Sequence, residues 1–377
     1  MKADKKGYNP VIKDGVAYVQ FAYDIGLAIR LDAAEKSVHA STERAPIRHQ
    51  RRAPKYFEFQ PYPLRVTQTS PAQSIGEWKT LAAVETVVFD FGAISVTYQI
   101  PLSGPFSSLA RLSELLYDNA ALLADSRRLV EELVETIRPS VTRPLISSFY
   151  EDYVIFQIRA FDDHGAHARL IMEAPTLVAQ VLRADEDLSS EQEVVDALSV
   201  QVSYGSDDLT LVDWVAALIF APAADDTRAV LEYATLQLLE LRHLDHQLDS
   251  ALDRYYDALT RSPTGPVSLF TKADDELREI GQLQVESALL FETINNSIKL
   301  LGDQYLARLY QQAARRYHLT SWDKSIQRKL KTLESIYEKM DSALSAARLE
   351  FLEWIVIILI ALELIVPFVV PYIAGRH

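Results

Sequence analysis

Residues 351–374 read FLEWIVIILIALELIVPFVVPYIA, and Glu353 and Glu363 carry the charges in this run of 24 positions. A membrane-spanning helix needs roughly 20 mostly apolar residues. The Leu, Ile, Val and Phe residues of the run favour insertion by several kcal/mol in total, whereas a charged Glu363 opposes it by roughly 2.5–3.5 kcal/mol. The run therefore predicts a transmembrane anchor. The alternative is an apolar C-terminal helix that is buried in the protein's own core.

The predicted anchor also has a predicted orientation. Lys331, Lys339 and Arg348 precede the run and Arg376 follows it, so the amino-terminal bulk is expected in the cytosol. Because residues 1–15 contain no apolar signal core, we expect a tail-anchored, single-pass protein of the inner or plasma membrane, with the lipid bilayer as one partner. The residues expected to form the anchor are Leu352, Glu353, Trp354, Ile355, Ile358, Leu359, Leu362, Glu363 and Ile365.

Apolar residues upstream of the anchor recur at steps of four and three from position 326 to position 358. This spacing is typical of a helix that packs on another helix through a heptad seam. Similar seams occupy 241–259 and 280–301, and the sequence RSPTGP at 261–266 separates them. The pattern predicts antiparallel helices that bind one another, protein partners or a second copy of the chain.

The N-terminal part mixes strand and helix patterns. Strands are predicted at 16–22, 64–69, 85–100, 153–160 and 209–220, and helices at 24–34, 106–138 and 175–188. The predicted fold class is therefore α+β: an N-terminal mixed α/β domain, then long antiparallel coiled-coil-like helices, then one transmembrane helix. The expected boundaries are 1–225, 226–350 and 351–374.

Composition narrows the functional classes. A net charge of −14 argues against a global nucleic-acid binder, and the absence of cysteine excludes disulfides, thiolate nucleophiles and cysteine-based metal sites. The sequence has no glycine-rich phosphate loop and no GxSxG elbow. These observations predict no catalytic residues, no cofactor, no metal and no evident small-molecule substrate.

Two histidine pairs are the candidates for metal chemistry. Glu240 and His243 form an ExxH motif, with His246 and Asp249 further along the same predicted helix. Di-iron sites need a second ExxH, which the sequence lacks, and charged neighbours favour a wet helix face. His164 and His167 lie in a predicted polar turn without a specifiable third ligand.

Other charged groups also allow two interpretations. Asp207, Asp208 and Asp213 surround a predicted strand and favour a turn over acid–base chemistry. A basic cluster precedes several aromatic residues, which is typical either of a solvated loop or of contact with RNA or an anionic headgroup. The members of this cluster are Arg44, Arg48, Arg51, Arg52 and Lys55.

Several C-terminal residues carry a family resemblance. They are Trp322, Ile326, Lys329, Leu330, Leu333 and Tyr337, the run LEWIVIILI at 352–360, and Glu363. With the strand VFDFG at 88–92 they resemble the RMND family ("required for meiotic nuclear division"), a domain of unknown function, in a bacterial or leaderless member. The resemblance implies a membrane-tethered protein that acts by binding, in mitochondrial members near ribosomes or messages.

We therefore expect a non-catalytic scaffold or adaptor that is tail-anchored and has its bulk in the cytosol. It recruits ribosomes, RNA or division-related partners. The rival hypothesis is a membrane-bound metal-dependent enzyme that uses the Glu240/His243/His246 face of its helix.

Overall fold

The structure is a computed structural model of the 377-residue chain. It describes residues 8–38, 41–44, 62–163, 165–260, 278, 280–285, 287–289, 291–292 and 304–374. For 41–44, 257–260, 343–344, 347 and 365–374 it describes the backbone. The described residues pack into two compact units, one made of Met1–Leu244 with Leu289–Lys324 and the other of Asp245–Ala288 with Ser325–His377. The predicted domain boundaries at 225 and 350 stay predictions.

A sheet of nine strands in the described part of the chain organises the first unit. Its order is β11-β12-β13-β10-β1-β8-β7-β4-β3, and its neighbours are antiparallel except for the parallel pair β10–β13. The strands are β1 (Val11–Asp24), β3 (Ser41–Arg44), β4 (Leu64–Thr69), β7 (Ala83–Val88), β8 (Ala93–Pro105), β10 (Tyr150–Phe161), β11 (Gln201–Val202), β12 (Leu209–Val212) and β13 (Ala216–Phe220). Two short ribbons pair β2 (Ala28–Ile29) with β9 (Val141–Thr142) and β5 (Ser74–Ile75) with β6 (Trp78–Lys79).

One face of the sheet packs against short helices. Successive side chains of a strand point to opposite faces. In β1 the odd positions Ala17, Val19 and Phe21 belong to the apolar core on this side. The helices of this part of the chain are α1 (Leu31–Ser37), α2 (Ser108–Leu116), α3 (Ala120–Ile137), α4 (Ala166–Glu173), α5 (Pro175–Arg183) and α6 (Glu191–Ala197), and a 3₁₀ turn spans Arg138–Ser140.

The opposite face of the sheet is more polar and meets two other helices, α7 (Asp225–Thr260) and α8 (Gln304–Arg316). The Arg228 guanidinium of α7 lies 4.3 Å from the ring centroid of Tyr18 and 3.1 Å from the Glu85 carboxylate. The even positions of β1 therefore face α7, as Tyr18 does. This arrangement places the last even residue of the strand, Asp24, beneath the middle of α7.

The second unit contains the distal part of α7 and most of α9 (Leu319–Ala374). Lys329 of α9 lies 2.7 Å from Asp245 and 2.6 Å from Asp249 of α7, and Ser325 donates a hydrogen bond to Asp245. Ile326 and Leu333 of α9 are fully buried. The polar contacts with α7 and the burial of these apolar side chains therefore fix the first turns of this part of α9 in place.

The mixed α+β class, with an N-terminal sheet and a helical C-terminal part, is confirmed. The prediction of a transmembrane anchor is wrong, because no helix in the described ranges is both long and apolar enough to cross a bilayer. The apolar run with described side chains, 351–364, has 14 positions and contains two glutamates.

That correction applies to Leu352, Glu353, Trp354, Ile355, Ile358, Leu359, Leu362, Glu363 and Ile365 as anchor residues. The predicted single-pass location in the inner or plasma membrane with a cytosolic N-terminus is wrong for the same reason.

Candidate functional site

The C-terminal part of α9 exposes a continuous apolar surface. Every residue from 351 to 364 is exposed, and its large hydrophobic side chains keep between 37% and 64% of their area accessible. Isolated exposed hydrophobic residues are normal, but a contiguous apolar surface marks an interaction site. We call residues 351–364 the apolar segment.

One face of the apolar segment has the spacing of a helix–helix contact. Leu352, Ile355, Leu359 and Leu362 follow one another at steps of three and four, so they form a stripe along α9. Arg348 and Glu363 are 15 positions apart, which at about 100° per residue places them within about 60° of each other around the helix. The stripe is therefore bracketed by a cation at one end and an anion at the other.

The Glu240 region differs from its prediction. Glu240 has no exposed area, so it does not lie on a wet helix face but points from α7 toward the sheet. Its neighbour His243 lies 3.9 Å from the Asp24 carboxylate through Nε2 and 3.3 Å from the Ser147 hydroxyl through Nδ1. His246 is exposed. Within the described ranges no group of three or more carboxylate or histidine side chains converges on a metal position.

Asp24 and Glu240 form a buried carboxyl pair. Burial raises the pKa of Asp24 to about 7, against the lowering effect of a hydrogen bond from the Gly26 backbone. Burial, together with the charge and hydrogen bond of Asp24, raises the pKa of Glu240 well above its usual value. Neither oxygen of Glu240 meets an N–H or hydroxyl donor in the described residues, so the contact requires a proton on one of the two carboxyl groups.

The second histidine pair lies only partly within the described residues. His164 lies outside the described residues, and the half-buried ring of His167 packs 6.1 Å from the ring of Phe220. Asp163 instead accepts a hydrogen bond from the Tyr8 hydroxyl and pairs with Arg169. These contacts hold the end of β10 against the first described residues.

The carboxylates around β12 have two separate structural roles. Asp208 accepts hydrogen bonds from the backbone N–H groups of Tyr204 and Gly205, which is the predicted turn. Asp213, which has no exposed area, lies between the guanidinium groups of Arg183 and Arg316. The sequence did not indicate this ion cluster, because its members are separated by up to 133 positions and no local spacing relates them.

The basic cluster falls mostly outside the described part of the chain. Arg44 ends β3, where its backbone pairs with Leu64 of β4. Arg48, Arg51, Arg52 and Lys55 lie outside the described residues. The predicted contact with RNA or an anionic headgroup therefore stays a prediction.

Comparison with known proteins finds matches to the part of the chain that forms the nine-stranded sheet, which we call the sheet domain. The model of a family described as "Uncharacterized protein MJ0711, N-terminal domain" matches residues 14–227. The chain is also similar to the uncharacterized protein MJ0711 of Methanocaldococcus jannaschii, at 23% identity over 239 residues that cover 63% of this chain and 72% of the relative. No solved structure gives a significant match. These matches confirm an uncharacterised family, and neither carries the RMND name.

Proposed function

The chain belongs to the family of the MJ0711 N-terminal domain, and we propose that it is a non-catalytic scaffold whose C-terminal helix pairs with a second copy of the same chain. The observation that carries this proposal is the exposure of every side chain in the apolar segment. A helix that is apolar on all sides is normally enclosed by other structure, because its exposure to water is costly.

The charges at the ends of the stripe favour a copy of the same chain as the partner. In an antiparallel pair centred between positions 355 and 356, each Arg348 lies opposite Glu363 of the other copy. The same register places each Leu352 opposite Leu359. The surface is thus complementary to itself, as a two-fold symmetric interface requires. A parallel pair instead places each Glu363 beside its equivalent.

The size of the stripe sets the expected strength of the pairing. A helical stretch about 21 Å long and about 10 Å wide offers roughly 200 Å² on one face. Stable complexes bury about 800 Å² on each partner, so the stripe alone supports a weak dimer. The opposite face, with Ile357, Ile360 and Leu364, is also apolar and exposed. We therefore expect dimers to associate further as concentration rises.

Features of the sequence suggest how such a scaffold is built and what it binds. Coiled-coil packing of the long helices gives the scaffold its rigidity, and the sheet domain of each copy recruits a partner. The resemblance to the RMND family supports a role in binding, with RNA or a ribosome as a partner class through the 44–55 cluster. A paired scaffold presents two such domains at once, which strengthens binding to a multivalent partner.

Charge reversal tests the pairing. Arg348→Glu and Glu363→Arg each create two like-charge contacts per dimer, while the double variant restores two opposite-charge contacts. Exposed ion pairs contribute about 0.2–1 kcal/mol each. We expect each single variant to weaken dimerisation about tenfold and the double variant to recover it. Sedimentation equilibrium over a range of concentrations measures the mass against the 42.5 kDa chain.

The double variant is its own control, since it contains both substitutions. Unchanged association in both single variants would contradict the antiparallel pairing. So would a double variant that dimerises more weakly than either single variant. A wild-type protein that remains monomeric at concentrations up to about 200 μM would contradict self-association itself.

A further inference from the structure

We propose that the contact between Asp24 and Glu240 is a proton-dependent latch that holds one turn of α7 against the end of β1. Asp24 is the last residue of β1, and Glu240 lies near the middle of α7. After Leu244, four residues beyond Glu240, α7 passes from the first compact unit into the second. The latch therefore closes the last turn of α7 that belongs to the first unit.

The burial of Glu240 makes its contact with Asp24 depend on a proton. Glu240 has no exposed area, and in the described part of the chain neither of its oxygens meets an N–H or hydroxyl donor. The Asp24 side chain is 13% exposed and accepts a hydrogen bond from the Gly26 backbone. With one shared proton the two carboxyl groups form a hydrogen bond, whereas without it two like charges meet away from water. Loss of the proton therefore favours separation of α7 from β1.

The described charged groups around the pair are engaged in other contacts. His243 of α7 lies 3.9 Å from Asp24 through Nε2, which is beyond hydrogen-bond distance. Arg242 pairs with Glu151 of β10, and Arg127 of α3 donates hydrogen bonds to backbone carbonyl groups in the loop before β10. The proton shared by the two carboxyl groups is therefore what stabilises their contact.

The surroundings confine the opening to the turn of α7 around Glu240. The strand β1 is paired with β8 on one side and with β10 on the other, and the Asp24 carbonyl accepts a hydrogen bond of 2.9 Å from the Ser147 backbone. The start of α7 is held separately, because Arg228, about three turns earlier, lies 3.1 Å from Glu85 of β7. Both ends of the contact thus stay attached to the sheet when the latch opens.

Native-state hydrogen exchange on the full chain tests the latch. Because burial raises the pKa of Asp24 to about 7, the closed turn keeps a proton that the open turn releases. We expect the protection of the amides at 236–248, corrected for the intrinsic exchange rate, to fall about tenfold between pH 6 and pH 8. This exchange should not depend on urea up to about 1 M, because a local opening exposes little surface.

Three variants separate the latch from other effects of pH. In Glu240→Gln the amide donates an N–H to the Asp24 carboxylate, so protection should be equal at the two pH values. Asp253→Asn removes a carboxylate from an exposed position of the same helix and should keep the wild-type response. His243→Gln should keep it as well, because the latch depends on the carboxyl pair and not on the imidazole.

Four results would overturn the inference. They are wild-type protection at 236–248 that is the same at pH 6 and pH 8, a Glu240→Gln protein with the wild-type response, loss of the response in His243→Gln, and exchange at 236–248 with the same urea dependence as that of β8. The last would show that these amides exchange by unfolding of the whole first unit. The association of α9 does not enter this experiment, so its failure is distinguishable from failure of the proposed scaffold function.

Discussion

Asp24 ends β1 with its carboxyl group against Glu240, and this position links the stability of the first unit to pH. Its pKa is raised to about 7 in the folded protein, whereas an unfolded aspartate titrates near 3.9. Between these values the folded chain keeps a proton that the unfolded chain has released. Stability is therefore greatest at low pH with respect to this group, and it is lost as the pH rises through about 7.

Asp24→Asn tests this linkage, since asparagine cannot titrate. We expect its free energy of unfolding to fall less between pH 5 and pH 8 than that of the wild type, with roughly 1.4 kcal/mol for each pKa unit removed. Urea unfolding at the two pH values measures the difference. Part of the fall should persist, because burial also raises the pKa of Glu151 to about 7.

Asp207→Asn is the matched control, because Asp207 is exposed in a turn. It should keep the wild-type dependence on pH. An Asp24→Asn variant with the same dependence as the wild type would show that the buried pair does not govern this part of the stability.

The same residues show what sequence reasoning missed at the residue scale. The ExxH motif drew attention to Glu240, but the charged neighbours Arg242 and Asp245 suggested a wet face. Those neighbours lie at other angles around α7, and Arg242 in fact pairs with Glu151 of β10. The decisive partner, Asp24, is 216 positions away. No local pattern encodes such a contact, because it forms only when α7 packs against the sheet.

At the scale of elements, α9 has two parts with different surroundings. Lys329 joins it to α7 through Asp245 and Asp249. Lys329→Met should lower the stability of the second unit by roughly 1 kcal/mol, mostly through Asp245, because Asp249 is half exposed and screened by solvent. Thermal unfolding followed by circular dichroism measures this change.

Lys331→Met is the control for Lys329→Met. It removes the same charge two positions away, where the side chain is exposed. A loss of stability that is equal in the two variants would reflect a change in net charge rather than the contact with α7.

Element boundaries were predicted best where the local pattern was strong. The strand at 64–69 agrees with β4, and the helical seam predicted at 241–259 lies within α7. The apolar run 209–220 instead forms β12 and β13, because the chain turns at the buried Asp213. The helix predicted at 106–138 divides into α2 and α3 near Asp118, which has a positive φ of 49°.

At the scale of the whole molecule, we propose that the chain pairs with itself through α9. The sequence revealed the apolar segment but assigned it to lipid, because hydropathy measures how strongly a surface avoids water and not what covers it. The two ends of the stripe, Arg348 and Glu363, suggest a protein surface of matching charge. The α+β class was predictable from periodicity, whereas the strand order was not, since it depends on contacts distant in sequence.

Disulfide trapping tests this claim most directly, because the chain has no cysteine to interfere. The antiparallel register places Leu352 of one copy opposite Leu359 of the other. A disulfide needs Cα atoms about 4.4–6.8 Å apart. In the same register two copies of position 352 are offset by seven residues, or about 10 Å along the helix. We therefore expect a mixture of tagged Leu352→Cys and untagged Leu359→Cys proteins to form a mixed covalent dimer under mild oxidation, and neither protein to crosslink alone. Efficient crosslinking of Leu352→Cys with itself, or no crosslinking in the mixture, would contradict the antiparallel pairing.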